Sequence, residues 1–221
     1  MSETLVKELI DNKAYLWTPR AYYFPKVTDF ALLGEKNKQL IINPEIIANA
    51  LEKAKAKIEE AKKEAKDVVV ILDKEAFAQE IEELSKNAGF SFLNTKVPAG
   101  IFTNFDTFSK RIHSMNKLRK FIESSAFSKL TKKEQLMKKR ELQKLEAIYH
   151  GLTNLSKLPD LVIVIDAEYN SEVIKELERV NIPYIAIANT DLSRWLKTDD
   201  LIVMNTNSYE AVTYVLNYLL K

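Results

Sequence analysis

Residues 159–183 read PDLVIVIDAEYNSEVIKELERVNIP, and this stretch decides the fold. Leu161, Val162, Ile163, Val164 and Ile165 are apolar at every position, as a strand must be when both faces of its sheet are covered. From Ser171 onward Val173, Ile174, Leu177 and Val180 recur at helical spacing. Asn181 and Pro183 then close the helix, and residues 184–188 (YIAIA) form a second buried-strand run. No glycine stands between the first strand and the helix, so the loop whose backbone N–H groups cradle phosphate in nucleotide enzymes is missing.

The same rhythm extends in both directions. Upstream, residues 68–72 (VVVIL) repeat the buried-strand pattern, and residues 45–66, rich in Ala, Lys and Glu, predict a long helix opened by Asn43 as N-cap and Pro44 in its first turn. A solvated outer face is expected for that helix and no function is assigned to it. Residues 74–87 predict another helix closed by Gly89, followed by a short strand at 90–93. Further upstream stand a short helix at residues 4–10, an aromatic, proline-punctuated loop at 17–30 and a first strand at 40–42. Downstream, residues 201–204 and 208–220 supply one more strand and helix. Alternation of strand and helix predicts a mainly parallel, flavodoxin- or Rossmann-like sheet in a three-layer α/β sandwich.

Residues 105–150 break the rhythm. Phe108, Ile112, Met115, Leu118 and Ile122, then Leu130, Leu136, Met137, Leu142, Leu145 and Tyr149, are spaced for two helices joined at a serine-rich turn, Ser124 and Ser125. They predict an inserted antiparallel α-helical hairpin with a coiled-coil-like seam, each arm roughly 27–30 Å long at about 1.5 Å per residue, able to stand clear of the sheet. The expected organisation is an α/β body made of residues 1–104 and 152–221, with an N-terminal loop at 14–30, and a hairpin at 105–151.

At 221 residues and 46% hydrophobic content the chain can bury a full core. It contains no cysteine, which excludes disulfides, thiolate chemistry and cysteine-ligated metal and suits a reducing compartment. No apolar run reaches the ~20 residues of a spanning helix, and the first residues do not have the pattern of a cleavable targeting peptide. Net charge is only +2, yet residues 105–150 hold twelve Lys and Arg against five Asp and Glu, a local +7 that leaves −5 for the rest. A basic arm on a mildly acidic body fits an element that enters a phosphate backbone, and it equally fits a solvated, lysine-rich hairpin.

These segments resemble the small-subunit ribosomal protein two family of bacterial type. Pro159, Asp160 and Leu161 to Ile163, Asp166, Asn170, Ile174, Glu176 and the run Asn181, Ile182, Pro183 stand at the spacing of its C-terminal signature. Residues 130–134 (LTKKE) with Arg140, Glu141, Leu142, Lys144, Leu145 and Glu146 are similar to the second arm of its helical hairpin. Residues 98–105 (PAGIFTNF) resemble its glycine-containing Leu-Thr-Asn-Trp loop, with Ala99 in place of one glycine, and residues 34–43 (GEKNKQLIIN) its Gly-x-Arg-Asn turn and first strand. The family's His-Phe-Gly-His-Gln element is replaced by Leu16, Trp17, Thr18, Pro19 and Arg20, so no metal or RNA contact through those histidines carries over.

The resemblance implies a structural component of the small ribosomal subunit, without catalysis or cofactor. It would join late in assembly and lie on the solvent side between head and body. Its partners would be small-subunit rRNA, neighbouring ribosomal proteins and, in lineages that have it, ribosomal protein one. Its location would be the bacterial cytoplasmic ribosome or an organellar one. Candidate RNA-binding residues are Arg20, Tyr22, Tyr23, Lys26, Lys36 and Lys38 near the N-terminus, where rings and cations mix, and Lys110, Arg111, Lys117, Arg119, Lys132, Lys133, Lys138, Lys139 and Arg140 in the hairpin.

The alternative is a nucleotide- or phosphate-binding α/β enzyme with a helical insertion. Asp73 and Asp166 end strands where such sheets bind ligands, although an aspartate there is commonly a helix N-cap. The glycines, Gly34, Gly89, Gly100 and Gly151, form no phosphate loop, and His113 and His150 lack partners at metal spacing.

Overall fold

The computed structural model describes residues 3–19, 31–36 and 39–221. Helix α1 (Glu3–Asp11) buries Leu5 and Leu9. Strands β1 (Leu16–Pro19), β2 (Leu32–Lys36) and β3 (Gln39–Ile42) follow and form a small antiparallel sheet in the order β1-β3-β2. The sequence placed residues 17–30 in a loop and 40–42 at the start of a parallel series. Residues 40–42 are a strand, but in this separate sheet. Only residues 37 and 38 connect β2 to β3, too few for a parallel crossover, so the partner has to be antiparallel.

Helix α2 (Pro44–Lys63) starts as expected: Asn43 Oδ1 accepts the Glu45 N–H at 3.0 Å and Pro44 occupies the first turn. Ile47, Ala48, Leu51, Ala54, Ile58 and Ala61 form its buried stripe. Then come β4 (Val68–Ile71), α3 (Ala78–Ala88) behind a short 3-10 turn, and β5 (Ser91–Leu93). Gly89 takes the left-handed conformation, φ 76°, that ends α3. Helix α4 (Phe105–Glu123), the single turn α5 (Ser125–Ser128) and α6 (Lys132–Tyr149) occupy the middle of the chain. Strand β6 (Leu161–Ile165), α7 (Ser171–Val180), β7 (Tyr184–Ala188), β8 (Leu201–Val203) and α8 (Tyr209–Leu220) complete it.

The main sheet is wholly parallel, in the order β5-β4-β6-β7-β8. Because side chains alternate along a strand, one set of residues builds each face. Val68, Val70, Leu161, Ile163 and Ile165 pack with α1, α2, α3 and α8. Val69, Ile71, Val162 and Val164 pack with α7 and with Phe105, Phe108, Ile112 and Met115 of α4. Helices thus cover both faces, the three-layer α/β arrangement that the uninterrupted apolar strands require.

Two details of the middle helices differ from the sequence reading. Phe108 and Arg111 meet Tyr149, and Arg119 meets Glu146, so α4 and α6 run in opposite directions. The first turns of α4, however, lie on the sheet instead of standing clear of it. Leu136 and Met137, read as seam residues, are 49% and 62% exposed. Leu142, Leu145 and Tyr149 face inward as expected, and ahead of them Gln135 takes the inward place. Gln135 turns inward because its amide donates to the carbonyls of Phe127 (3.2 Å) and Leu130 (3.0 Å), so the departure is confined to the start of the helix.

Candidate nucleic-acid interface

The basic residues of α4 and α6 fall into two groups. Arg119 is half-buried, and its Nε and Nη2 donate to Glu146 Oε1 at 2.9 and 2.7 Å. Arg111 lies over the Phe108 ring, 5.5 Å from its centroid, and reaches Tyr149 Oη at 3.4 Å. Lys138 pairs with Glu141 at 2.8 Å, and Lys139 Nζ stands 5.9 Å from the Phe127 ring centre. Lys110, Lys117, Lys132, Lys133 and Arg140 are exposed, and no ion pair among the described residues involves them. The acid beside Lys132 and Lys133 is turned away: Glu134 closes a capping box with Thr131, whose hydroxyl and N–H hold its carboxyl below the usual range. Lys36 ends β2, while Arg20, Tyr22, Tyr23, Lys26 and Lys38 lie outside the described residues.

At the carboxyl edge of the sheet, β4 and β6 are neighbours with β5 on the far side of β4, so Asp73 and Asp166 stand at the topological switch point. Asp166 is only 7% exposed and sits at φ 60°. Its Oδ2 pairs with Lys74 at 2.5 Å, and Lys74 also donates to the Thr206 carbonyl at 3.2 Å. The acid's charge is therefore balanced within the fold. The N-cap expectation is corrected in detail: Asp166 Oδ1 accepts the Tyr169 N–H at 3.4 Å, fastening the turn before α7, and the cap residue itself is Asn170. Nearby, burial first and then the carboxylates of Asp166 and Glu168 push the Asp191 carboxyl up.

His113 is exposed on α4. His150 Nδ1 lies 2.9 Å from the Glu146 carbonyl, and its Nε2 is 3.6 Å from Glu82. Among the described residues no group of three His, Cys, Asp or Glu side chains could hold a metal ion, and no helix is long and apolar enough to cross a membrane.

Two sequence motifs far apart in the chain prove to be one structure. Glu176 of α7 accepts the backbone N–H groups of Gly100 (2.5 Å) and Phe102 (3.1 Å), clamping the loop that leads into α4. Gly100 supplies the positive φ, 83°, that lets both N–H groups converge on one carboxylate. Sequence reasoning singled out both segments without linking them. It also passed over Ser109, Asn116 and Ser156, which line a cavity between α4 and the loop after α6. The signal was the serine and asparagine interleaved with Lys110 and Lys117 on the outer side of α4.

Fold and charge together define an α/β scaffold whose switch-point acid is neutralised from within and whose open cations stand on a pair of helices. The chain belongs to the ribosomal protein S2 family, which matches it over residues 9–221. It is 31% identical to the small ribosomal subunit protein uS2 of Dictyoglomus thermophilum over 86% of this chain and 77% of that protein. It is 29% identical to the uS2 protein of a Psychrobacter species over 94% of this chain and 79% of that protein. The family comprises structural constituents of the small ribosomal subunit and is not a family of enzymes.

Proposed function

We propose that the chain binds small-subunit rRNA between head and body, with residues 105–151 acting as a basic hairpin inserted in the α/β body formed by residues 1–104 and 152–221. The observation that carries this is the set of exposed cations Lys110, Lys117, Lys132, Lys133 and Arg140, which enter no ion pair among the described residues, within a segment of local charge +7. Such residues displace counterions from phosphates, a salt-sensitive and sequence-tolerant contribution, while the rigid sheet and its neighbours set position. Arg111, Lys138 and Lys139 reinforce the field from partly engaged positions. Arg20, Tyr22, Tyr23, Lys26, Lys36 and Lys38 extend the interface with rings that stack on bases and cations that meet phosphate. Arg119 contributes mainly through the fold. Neighbouring small-subunit proteins, with ribosomal protein one where a lineage has it, complete the partners, and the ribosome is the site of action.

Co-sedimentation tests the proposal. A tagged copy is expected in the small-subunit fraction and is released from it as salt rises. A copy found wholly in the post-ribosomal fraction, binding a nucleotide there, would overturn it in favour of an α/β enzyme.

A further inference from the structure

The cavity between α4 and the residues after α6 has a volume of about 460 Å³ and is open to solvent. Ser109, Lys110, His113 and Asn116 form its helical wall, and Asn154 and Ser156 the opposite one. Among the described residues no carboxylate lines it; Asp106, one turn before Lys110, belongs to the neighbouring cavity. The contrast is on the other side of the same loop. There a second cavity, about 510 Å³, sets Arg119, Lys86 and His150 against Glu82 and Glu146, so each cation already faces an acid.

The acid-free groove continues along the helix. Lys110, His113, Lys117 and Lys120 stand at positions i, i+3, i+7 and i+10, one exposed edge of α4. Asn116 is fixed beneath them: its Nδ2 donates to the Thr153 carbonyl at 2.9 Å, while its buried Oδ1 accepts no hydrogen bond from the described residues. A buried acceptor without a donor is costly.

We infer that this groove takes a sugar–phosphate strand of RNA, with Lys110 and Lys117 on phosphates and the hydroxyl and amide groups on ribose. The inference rests on the rRNA-binding reading and deepens it, assigning two of its five open cations, Lys110 and Lys117, to one groove at the base of the hairpin. Phosphate oxygens need cations and neutral donors with no carboxylate to repel them. Serine hydroxyls and asparagine amides both donate and accept, as does a ribose 2′-hydroxyl, the group that tells RNA from DNA.

The test places a photo-crosslinking benzoylphenylalanine at Ser156, and separately at Lys133, in the full chain, and irradiates assembled small subunits. Crosslinking to rRNA from position 156 is expected. A chain that assembles and crosslinks to rRNA from 133, but from 156 reaches only protein or nothing, overturns this inference and leaves the wider reading standing. An unmodified chain that never enters subunits overturns both. Independently, the unmodified chain should bind a 12-base-pair RNA duplex about 3- to 10-fold more tightly than DNA of the same sequence, the worth of about one hydrogen bond. S156D should abolish that preference with an unchanged melting temperature. Equal affinity of the unmodified chain for the two duplexes overturns the inference.

Discussion

Arg119 on α4 and Glu146 on α6 are joined by two hydrogen bonds to one carboxylate oxygen, at 2.9 and 2.7 Å, and both side chains are about one-third exposed. The contact ties the two long helices together beyond the point where the sheet supports them. Its half-exposed setting limits its worth to about 0.5–1 kcal/mol. R119A is therefore expected to lower stability by that amount and to leave the salt dependence of RNA binding as it was. Denaturant unfolding of R119A, E146A and the double variant measures the coupling. A flattened salt dependence with an unchanged unfolding midpoint would show that Arg119 serves RNA instead.

Gly151 follows α6 where the chain passes Phe92 of β5. A Cβ at this position would lie 2.2 Å from the Phe92 carbonyl oxygen and 2.7–2.8 Å from its ring. The obstacle is backbone, which cannot swing aside as a side-chain tip can. G151A is expected to destabilise the protein by about 1–3 kcal/mol, read as a lower thermal midpoint. An unchanged midpoint would mean that the loop shifts freely.

How far the sequence reaches can be judged at particular residues. The parallel sheet was legible because β4, β6 and β7 are apolar at every position, a pattern only two-sided cover explains. Asn43 and Gly89 marked helix ends through local chemistry that needs no distant partner. The small antiparallel sheet was not legible, since β1 spans an aromatic, proline-bearing stretch with no alternation. Leu142, Leu145 and Tyr149 were placed rightly, but the start of α6 was misjudged because Leu136 and Met137 look like seam residues, while a polar residue, Gln135, faces inward. Among the basic residues, sequence could not separate Arg119 from Lys133. That division depends on which acid lies across the helix pair.

Glu178 gathers three elements at one buried carboxylate. It accepts the Tyr184 hydroxyl at 2.8 Å, the Lys197 N–H at 2.9 Å and the Arg194 guanidinium at 2.5 Å, and its side chain is only 7% exposed. Burial by itself would raise its pKa, but the Lys197 N–H, Tyr184 and Arg194 together hold it below its ordinary 4.5. A carboxyl depressed by folding stabilises the protein above its unfolded pKa and loses that contribution as pH falls through the folded one. E178Q is thus expected to be less stable than the parent at pH 7, with the gap in melting temperature closing as pH drops below the ordinary value. E178A, which strands Arg194, should cost about 3–5 kcal/mol. A gap between E178Q and parent that persists unchanged into acid would contradict the depressed carboxyl.

Lys132 and Lys133 occupy the first two positions of α6, exposed and outside any ion pair among the described residues, whereas Lys138 is engaged by Glu141 at 2.8 Å. Acids are favourable at a helix N-terminus, where the macrodipole is positive. K132E/K133E should therefore keep or slightly raise the melting temperature, which separates binding from folding in a way that a core substitution cannot. If both lysines meet phosphate, the plot of log affinity for rRNA against log salt should lose about two units of slope, one per contact. K138E, starting from a lysine already shared with Glu141, should lose less. A K132E/K133E variant that enters small subunits normally and keeps the parent's salt slope would show these lysines to be solvated surface, and the rRNA contact would have to be carried by α4.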